Sequence, residues 1–455
     1  MKTDRSVEGP AFPYDPESNP LMDWQAAYIE DRIKQTWESL KRLNDPHGYA
    51  PPKPYELPSC DDECCPTKMD LGSVRELERR KVNAYRKEIG FGFDLIMSSV
   101  GRGAKFVKGA PKNASGPISS YLKKQGNIQV AKHIKNKIEK GTFVYNTLTE
   151  IAELTQNQLI TILENEQATY QAFSIVNGIW VKGDFELVKK MAQNPNVAHV
   201  FYNAPIKALE PVEIDRNLST RLRTDSVTWG IDKINANDVW ALGHRGQGVV
   251  IGGQDTGYSW ELPNLKEKYR GWNGSVANHN YNWHDAIHEF SPLGDSINND
   301  CGLDILTPCD DIGHGTHTMG TMVATDTTVL LGVAPDAQWI GCRNMEDGWG
   351  APNTYLECFE WFLAPTDLTN LNPDPSKAPH VITNSWGCPP EEGCDTSNFV
   401  LLETAVNNLK LAGVVVVVSA GNDGSGCNTI MNPASIFANS FSVGALAKND
   451  TIAGF

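Results

Sequence analysis

The stretch GVVIGGQD, residues 248–255, is an apolar run that ends in a carboxylate. Similar runs follow it, namely AQWIGCRNM from residue 337, HVITNSWG from 380, GVVVVVSAGN from 413 and SFSVGAL from 440, with helical patterns between them. Continuous apolar strands that alternate with helices are typical of a parallel sheet whose two faces are covered. The sequence therefore predicts an α/β domain with a doubly wound, mostly parallel sheet, which we assign to residues 225–455.

Polar side chains stand where binding sites of such sheets are usually found, at the carboxyl ends of the strands. Asp255 ends the first run, Asn422 follows the run from residue 413, and His314 opens a helical stretch. Each residue alone has an ordinary structural interpretation, because Asp and Asn are common helix caps and turn formers. The doublet His314 and His317 also allows a metal site, although it lacks the HExxH spacing and needs a third ligand such as Asp310 or Asp311.

Four motifs in a fixed order give these residues a more specific interpretation. They are DTG at 255–257, HGTHTMGT at 314–321, NSWG at 384–387 and SAGN at 419–422. In this order they resemble the landmark motifs of the subtilisin-like serine peptidases, the subtilases, and within them a bacillopeptidase-like branch. The resemblance extends over roughly residues 118–455.

The resemblance implies a role for each matching residue. His314 would be the general base and Asp255 would orient its ring, while the Asn422 amide would donate to the oxyanion of the transition state. Ser385, Trp386 and Gly387 would form a cleft edge that pairs with an extended peptide or protein substrate.

The resemblance also bears on the helix start and on cofactors. Small residues at Gly313, Gly315 and Gly320 would let the helix begin close to the sheet, and His317 would be structural. No cofactor is required. The insertion between Asp255 and His314 carries an acidic loop that would suit a structural Ca²⁺ ion or remain solvated.

The chain departs from the family pattern in two ways. Gly253 and Gln254 stand where apolar residues are usual, so we expect either looser packing there or a polar group beside Asp255. The nucleophile motif of the GTSMA type is absent from the 455 residues. We therefore expect the serine of the Asp-His-Ser triad to lie beyond Phe455, and the 455-residue chain itself to be inactive.

The segment before this domain divides into two parts. Residues 1–110 have no assigned function and are expected to be partly helical or disordered. Residues 111–210 predict a small α+β domain, with a helix from Val144, two strands turning at Asn177-Gly178, a second helix capped by Asp184 and a last strand VAHVFYN. The resemblance implies a propeptide that inhibits the peptidase domain in cis, with FYNAPIKALEPV (201–212) lying in the cleft.

Charge and hydropathy exclude several classes of protein. The net charge of −15 argues against a nucleic-acid or anionic-membrane binder. The longest apolar run, residues 409–420, is too short for the roughly 20 residues of a membrane span. Residues 102–140 carry ten basic side chains and one acid, whereas residues 285–311 carry seven acids and no Lys or Arg, so the two segments would attract each other.

Location and redox state give mixed signals. The resemblance implies an extracellular protein, but residues 1–20 lack the apolar core of a secretory signal. Two cysteine pairs bracket short loops that a disulfide would clip, Cys301 with Cys309 and Cys388 with Cys394. The cluster CDDECC at 60–65 suggests metal binding but has no second Cys/His pair at zinc spacing.

Two other functions remain open on sequence grounds. The first is a non-catalytic pseudo-peptidase, or a protein that binds peptides or inhibits proteases through the α+β domain. The second is a metal-dependent hydrolase built on the histidine doublet.

Overall fold

The computed structural model describes residues 93–99, 128–194, 196–203, 205–207, 227–291, 294, 299–326, 330–387 and 396–454. The N-terminal cluster CDDECC, the cysteines at 388 and 394, most of residues 1–110 and residues 208–212 of the trailing segment lie outside these ranges. The strands are β1 (Phe93–Ser99), β2 (Thr169–Phe173), β3 (Gly178–Gly183), β4 (Val197–Tyr202), β5 (Ile206–Lys207), β6 (Val250–Asp255), β7 (Trp283–Asp285), β8 (Gln338–Arg343), β9 (Trp349–Gly350), β10 (Val381–Asn384), β11 (Val415–Ser419) and β12 (Phe441–Val443).

The α-helices of the described residues run from the small N-terminal module into the larger domain. They are α1 (Lys137–Asn165), α2 (Phe185–Ala192), α3 (Trp229–Lys233), α4 (Ala236–Ala241), α5 (Pro263–Lys266), α6 (His314–Val323), α7 (Pro352–Leu363) and α8 (Thr396–Ala412). Short 3-10 turns occupy Gln129–His133 and Pro375–Lys377.

The larger domain is built on a six-stranded sheet in the order β12-β11-β10-β6-β8-β7, and its neighbouring strands are paired in parallel. Strands β8 and β7 lie on one side of β6, and β10, β11 and β12 follow in order on the other side, so β6 and β10 flank the point where the strand order reverses. Ligands of doubly wound sheets bind at the carboxyl ends of strands at such a point. The predicted fold class is confirmed, and Asp255 lies at the predicted place.

Separate apolar cores cover the two faces of this sheet. Successive residues of a strand point to opposite faces, and Trp339 and Ile340 of β8 accordingly belong to different cores. Helices α7 and α8 pack over one face through residues such as Phe359 and Leu402. Helix α6 packs over the other face through Met319 and Val323, beside a cluster of tyrosines and tryptophans.

The N-terminal module is a four-stranded antiparallel sheet in the order β2-β3-β1-β4, covered by α1 and α2. Asp184 caps α2 by accepting from the Leu187 N–H at 2.9 Å, as predicted. Helix α1 buries Val144 and Leu159, whereas Leu154 of the same helix is 44% exposed. Strand β1 lies before the expected boundary at residue 111, yet it occupies the centre of this sheet.

The module packs directly on α7 and α8, because Phe173, Ile175 and Trp180 belong to the same apolar cluster as the inner faces of those helices. The Glu360 carboxylate of α7 accepts from Ser174 N at 2.9 Å, from Ser174 Oγ at 2.9 Å and from Ile175 N at 3.3 Å.

The expected attraction between the basic and acidic segments takes a different form. Glu289 of the acidic insertion pairs with Lys182 of β3 at 2.5 Å, whereas Lys137 donates to the Ala378 carbonyl.

Among the helices that the structure describes, none combines the length and apolar character needed to cross a bilayer.

Candidate active site

Asp255 and His314 are 59 residues apart in sequence and adjacent in the fold. Asp255 is the last residue of β6 and His314 is the first residue of α6. His314 Nδ1 lies 2.6 Å from Asp255 Oδ1, and the two side chains are 11% and 4% exposed. The second carboxylate oxygen of Asp255 accepts a longer hydrogen bond from Thr318 Oγ1, at 3.3 Å. The structure therefore brings two of the predicted site residues together as a buried, hydrogen-bonded pair.

The surroundings of His314 favour its protonated form. Burial lowers the pKa of His314, but the hydrogen bond to Asp255 and the negative charges of Asp255 and Asp310 outweigh it and raise the pKa. A carboxylate on Nδ1 leaves Nε2 as the nitrogen that exchanges protons with a reacting group. An imidazole held in this way has the properties of a general base that later acts as an acid.

The glycines near His314 serve different purposes. A Cβ atom on Gly315 would lie 2.2 Å from the Gly257 carbonyl oxygen, so only glycine allows α6 to approach the strand. Gly313 adopts a φ of +87°, in the left-handed region that favours glycine. The nearest neighbour of a Cβ on Gly320 is 3.9 Å away, so the expected packing need does not apply there. His317 is exposed on α6.

The remaining predicted residues lie after β10 and β11. Asn422 follows β11 through Gly421, whose φ is +98°. Trp386 is 2% exposed, its ring centroid lies 4.1 Å from that of Tyr355, and its indole N–H donates to Asn384 Oδ1 at 3.2 Å. Trp386 is thus part of the apolar core, whereas the sequence predicted it at the edge of a cleft. Ser385 is half-buried, and Gly387 packs against Asn432.

Gly253 and Gln254, the two residues before Asp255 that depart from the family pattern, both have structural explanations. Gly253 leaves room for Tyr258, because a Cβ there would lie 2.2 Å from the Tyr258 hydroxyl oxygen. Gln254 is buried, and its amide donates across the sheet to Asn384 Oδ1 on β10. Neither expected outcome is observed: Tyr258 packs closely against Gly253, and the Gln254 amide bonds to Asn384 of the neighbouring strand and not to Asp255.

A short strand from the end of the N-terminal module lies along the larger domain. Strand β5 pairs antiparallel with β9, so Ile206 is opposite Gly350 and Lys207 is opposite Trp349. Ile206 is fully buried. Just before β5, Asn203 exchanges side-chain and backbone hydrogen bonds with Asn353 at the start of α7. An extended segment from the end of the module therefore forms a separate two-stranded antiparallel sheet with the larger domain.

Several buried polar groups were not anticipated from the sequence. Arg343 at the end of β8 is fully buried and pairs with Asp311 at 2.8 Å and with Asp285 at 3.5 Å. Burial raises the pKa of Asp285 to about 6 despite Arg343. No local pattern identifies these partners, because they come from different strands and loops.

Two disulfide bonds link segments of the larger domain. Cys301 and Cys309 are bonded, as their spacing predicts. Cys342 and Cys358 form a second bond, which joins β8 to α7 and had no local signal in the sequence. Within the described ranges, no group of three or more His, Cys, Asp or Glu side chains is arranged to hold a metal ion.

Comparisons with known proteins agree with this architecture. A family model described as the subtilase family, Peptidase S8, matches residues 246–455. Bacillopeptidase F of Bacillus subtilis (strain 168) is 34% identical over 338 residues, which are 70% of this chain and 22% of that protein. The match therefore spans about a fifth of that relative. Subtilisin DY of Bacillus licheniformis is 31% identical over 234 residues, which are 50% of this chain and 68% of the relative.

A solved structure supports the fold alone. It is a mutant of the epidermin leader peptide processing serine protease from Staphylococcus aureus, with a TM-score of 0.50 and 16% sequence identity. The alignment covers 65% of this chain and 69% of that one.

Proposed function

The chain belongs to the subtilase family of serine peptidases, and from that premise we propose that it carries the histidine and the aspartate of the catalytic triad of an endopeptidase, whose serine follows Phe455. The observation that carries the proposal is the partly buried hydrogen bond of 2.6 Å between His314 Nδ1 and Asp255 Oδ1. In the proposed reaction, His314 Nε2 removes the proton of the serine hydroxyl as the serine oxygen attacks the scissile carbonyl.

The later steps follow from the same pair. The protonated His314 gives its proton to the leaving amine as the peptide bond breaks, which leaves an ester on the serine. Water then attacks that ester with His314 again as base, and the serine is regenerated. Asp255 stabilises the imidazolium in both halves of the reaction. Asn422 is the proposed oxyanion donor; in subtilisin, loss of the corresponding amide costs about 10²–10³ in rate, a figure taken over from that enzyme.

The substrate is proposed to be an extended peptide or protein segment. The pairing of β5 with β9 supports this proposal, because it shows an edge of the larger domain that accepts a strand through main-chain hydrogen bonds. Ser385 and Gly387, after β10, are the proposed second edge. A structural Ca²⁺ ion at the acidic loop stays a prediction. It is tested by comparing the thermal unfolding temperature with added calcium and with a chelator.

The N-terminal module is proposed to be an inhibitory propeptide that acts in cis. Its contacts support this role, since it packs on α7 and α8 and the strand at its end, β5, pairs with β9. An extracellular location is also proposed, and the two disulfides favour it because such bonds persist in oxidising compartments.

The function is tested with the gene product that includes the residues after Phe455. We expect it to hydrolyse an unfolded protein substrate, and His314→Ala to lower kcat/KM by about 10⁴-fold or more. His317→Ala is the matched control, because His317 is exposed one turn later on the same helix. Equal activity of the His314→Ala variant and its parent would contradict the proposal, and a fully inert parent would favour a peptide-binding protein.

The docking of the module on α7, which the propeptide role requires, is tested through Glu360. Its charge-assisted hydrogen bonds to Ser174 and Ile175 are worth about 1.5–3 kcal/mol, so Glu360→Gln should speed amide hydrogen exchange around residues 173–176 by about 10-fold or more. Glu186→Gln, on the exposed face of α2, is the control and should leave that exchange unchanged. Equal protection in both variants would mean that Glu360 does not hold the module.

A further inference from the structure

One carboxylate joins the two chain segments that carry the Asp255–His314 pair. It belongs to Asp310, four residues before His314. Its oxygens accept from donors on both segments: Oδ1 from Thr256 Oγ1 at 2.8 Å, Gly313 N at 2.8 Å and Ile312 N at 3.2 Å, and Oδ2 from Thr316 N at 2.9 Å and from Thr316 Oγ1.

The two threonines extend this carboxylate into a closed set of bonds. Thr256 directly follows Asp255, and its hydroxyl oxygen accepts from Gly315 N at 3.0 Å while its proton goes to Asp310. The hydroxyl oxygen of Thr316 likewise accepts from Ser259 N at 2.9 Å. Both hydroxyl protons are therefore directed to a single carboxylate. The loop after β6 and the first turn of α6 are tied together in both directions.

Helix α6 needs these acceptors because it cannot cap itself. The first N–H groups of a helix have no partner within the helix. The residue at the N-cap position is Gly313, which has no side chain. Asp310 and Thr256 supply the missing acceptors to Thr316 N and Gly315 N. A carboxylate at this end also interacts favourably with the helix dipole.

The backbone around Asp310 leaves little freedom for another arrangement. Tyr258 N donates to the Cys309 carbonyl at 3.0 Å, and a Cβ on Gly257 would lie 1.8 Å from that oxygen. Cys309, the residue before Asp310, is fixed by its bond to Cys301. Asp310 is thus presented by an anchored loop at the contact between the two segments.

We infer that Asp310 is a positioning residue, whose carboxylate sets the geometry of the Asp255–His314 pair through Thr256 and Thr316. The inference rests on the proposed function for its catalytic meaning. Its test does not require catalytic activity, because the hydrogen bond between Asp255 and His314 is present in the 455-residue chain and can be measured directly. An amide in place of this carboxylate has one acceptor oxygen instead of two and adds an NH₂ donor, so it cannot receive all five hydrogen bonds.

The test is an NMR measurement on the full chain labelled with ¹⁵N at histidine. When His314 is protonated, its Nδ1–H proton lies in a short, buried bond to a carboxylate and should give a low-field resonance, assigned by its absence from His314→Ala. In Asp310→Asn we expect this resonance to be lost, because the loosened pair exposes the proton to exchange with water. Asp300→Asn, in the exposed part of the same loop, should retain it.

A second pair of variants separates geometry from charge and from misfolding. Thr316→Val keeps the charge of Asp310 but removes the hydroxyl, and should also lose the resonance. Thr316→Ser restores the hydroxyl and should recover it. A low-field resonance that persists unchanged in both Asp310→Asn and Thr316→Val would overturn the inference. Loss in these variants combined with no peptidase activity of the longer gene product would leave the positioning role intact and refute only the proposed function.

Discussion

At the scale of single residues, Gly315 and Gly320 share helix α6 but differ in what surrounds them. A Cβ on residue 315 would lie 2.2 Å from the Gly257 carbonyl oxygen and 2.9 Å from Asp255 Cβ. Neither atom can move away without displacing the strand end. We therefore expect Gly315→Ala to lower the free energy of unfolding by about 2–3 kcal/mol, a typical cost of overpacking.

The matched control is Gly320→Ala. Its Cβ would have 3.9 Å of clearance, and alanine in a helix interior is favoured over glycine by about 0.5–1 kcal/mol. Chemical denaturation of the two variants checks both signs. A stabilised Gly315→Ala variant would show that the contact between α6 and the loop after β6 is looser than described.

The sequence reveals some of these residues and not others for a physical reason. Asp255 and His314 belong to motifs whose local letters and order are informative, so the pair was predictable. The bond from Gln254 to Asn384 depends on the register between β6 and β10, which are about 130 residues apart. The sequence alone indicates Asp310 only as a third metal ligand, because its bond to Thr256 depends on the fold that brings the two residues together.

At the scale of elements, a chain of ionisable groups links the acidic insertion to α7. Glu357 of α7 is buried and contacts His284 Nε2 at 2.7 Å and His288 Nε2 at 3.0 Å, and His288 Nδ1 contacts Asp304. The hydrogen bond to Glu357 raises the pKa of His288 to about 10. Burial alone would raise the pKa of Glu357, but the hydrogen bonds from His284 and His288 lower it to about 2.

These shifts define a pH window for the link. The folded pKa of His288 is above its unfolded value of 6.5, so its contribution is complete below pH 6.5 and is lost as the pH rises through about 10. The folded pKa of Glu357 is below 4.5, so its contribution is lost as the pH falls through about 2. Unfolding free energy should therefore decline on the alkaline side of neutrality partly through His288.

The variant Glu357→Gln tests this link. Breaking a fully buried ion pair costs about 3–5 kcal/mol, and because His288 is 37% exposed we expect a smaller loss of about 2–3 kcal/mol. The decline in stability between pH 7 and pH 10 should also become shallower. Urea unfolding at several pH values provides the measurement, with Glu261→Gln at an exposed position as the control. An unchanged pH profile would mean that the contact between Glu357 and His288 does not hold the acidic insertion on α7.

Element prediction succeeded where apolar runs are long and failed where strands are short. The five apolar runs of the sequence, of which GVVIGGQD is the first, correspond to β6, β8, β10, β11 and β12. Strand β7 has three residues and lies within a polar insertion, and β5 and β9 have two residues each. Such segments are strands because a neighbouring edge accepts them. Their own sequence carries no alternation to detect.

At the scale of the whole molecule, the N-terminal module and the larger domain share one apolar cluster. The module was predictable as an α+β unit from its helix pattern, its turn at Asn177-Gly178 and the Asp184 cap. Its position was not, because docking on α7 and α8 depends on surfaces formed by both units. The bond from Glu360 to Ser174 and the pairing of β5 with β9 then place the end of the module along the domain that carries His314.

The central proposal is that Asp255 and His314 activate a serine that follows Phe455. Its most direct test is labelling of the longer gene product with a fluorophosphonate probe, which reacts covalently with an activated serine. We predict labelling of that product, loss of labelling in His314→Ala, and no labelling of the 455-residue chain. A labelled 455-residue chain, or labelling that survives without His314, would contradict the claim.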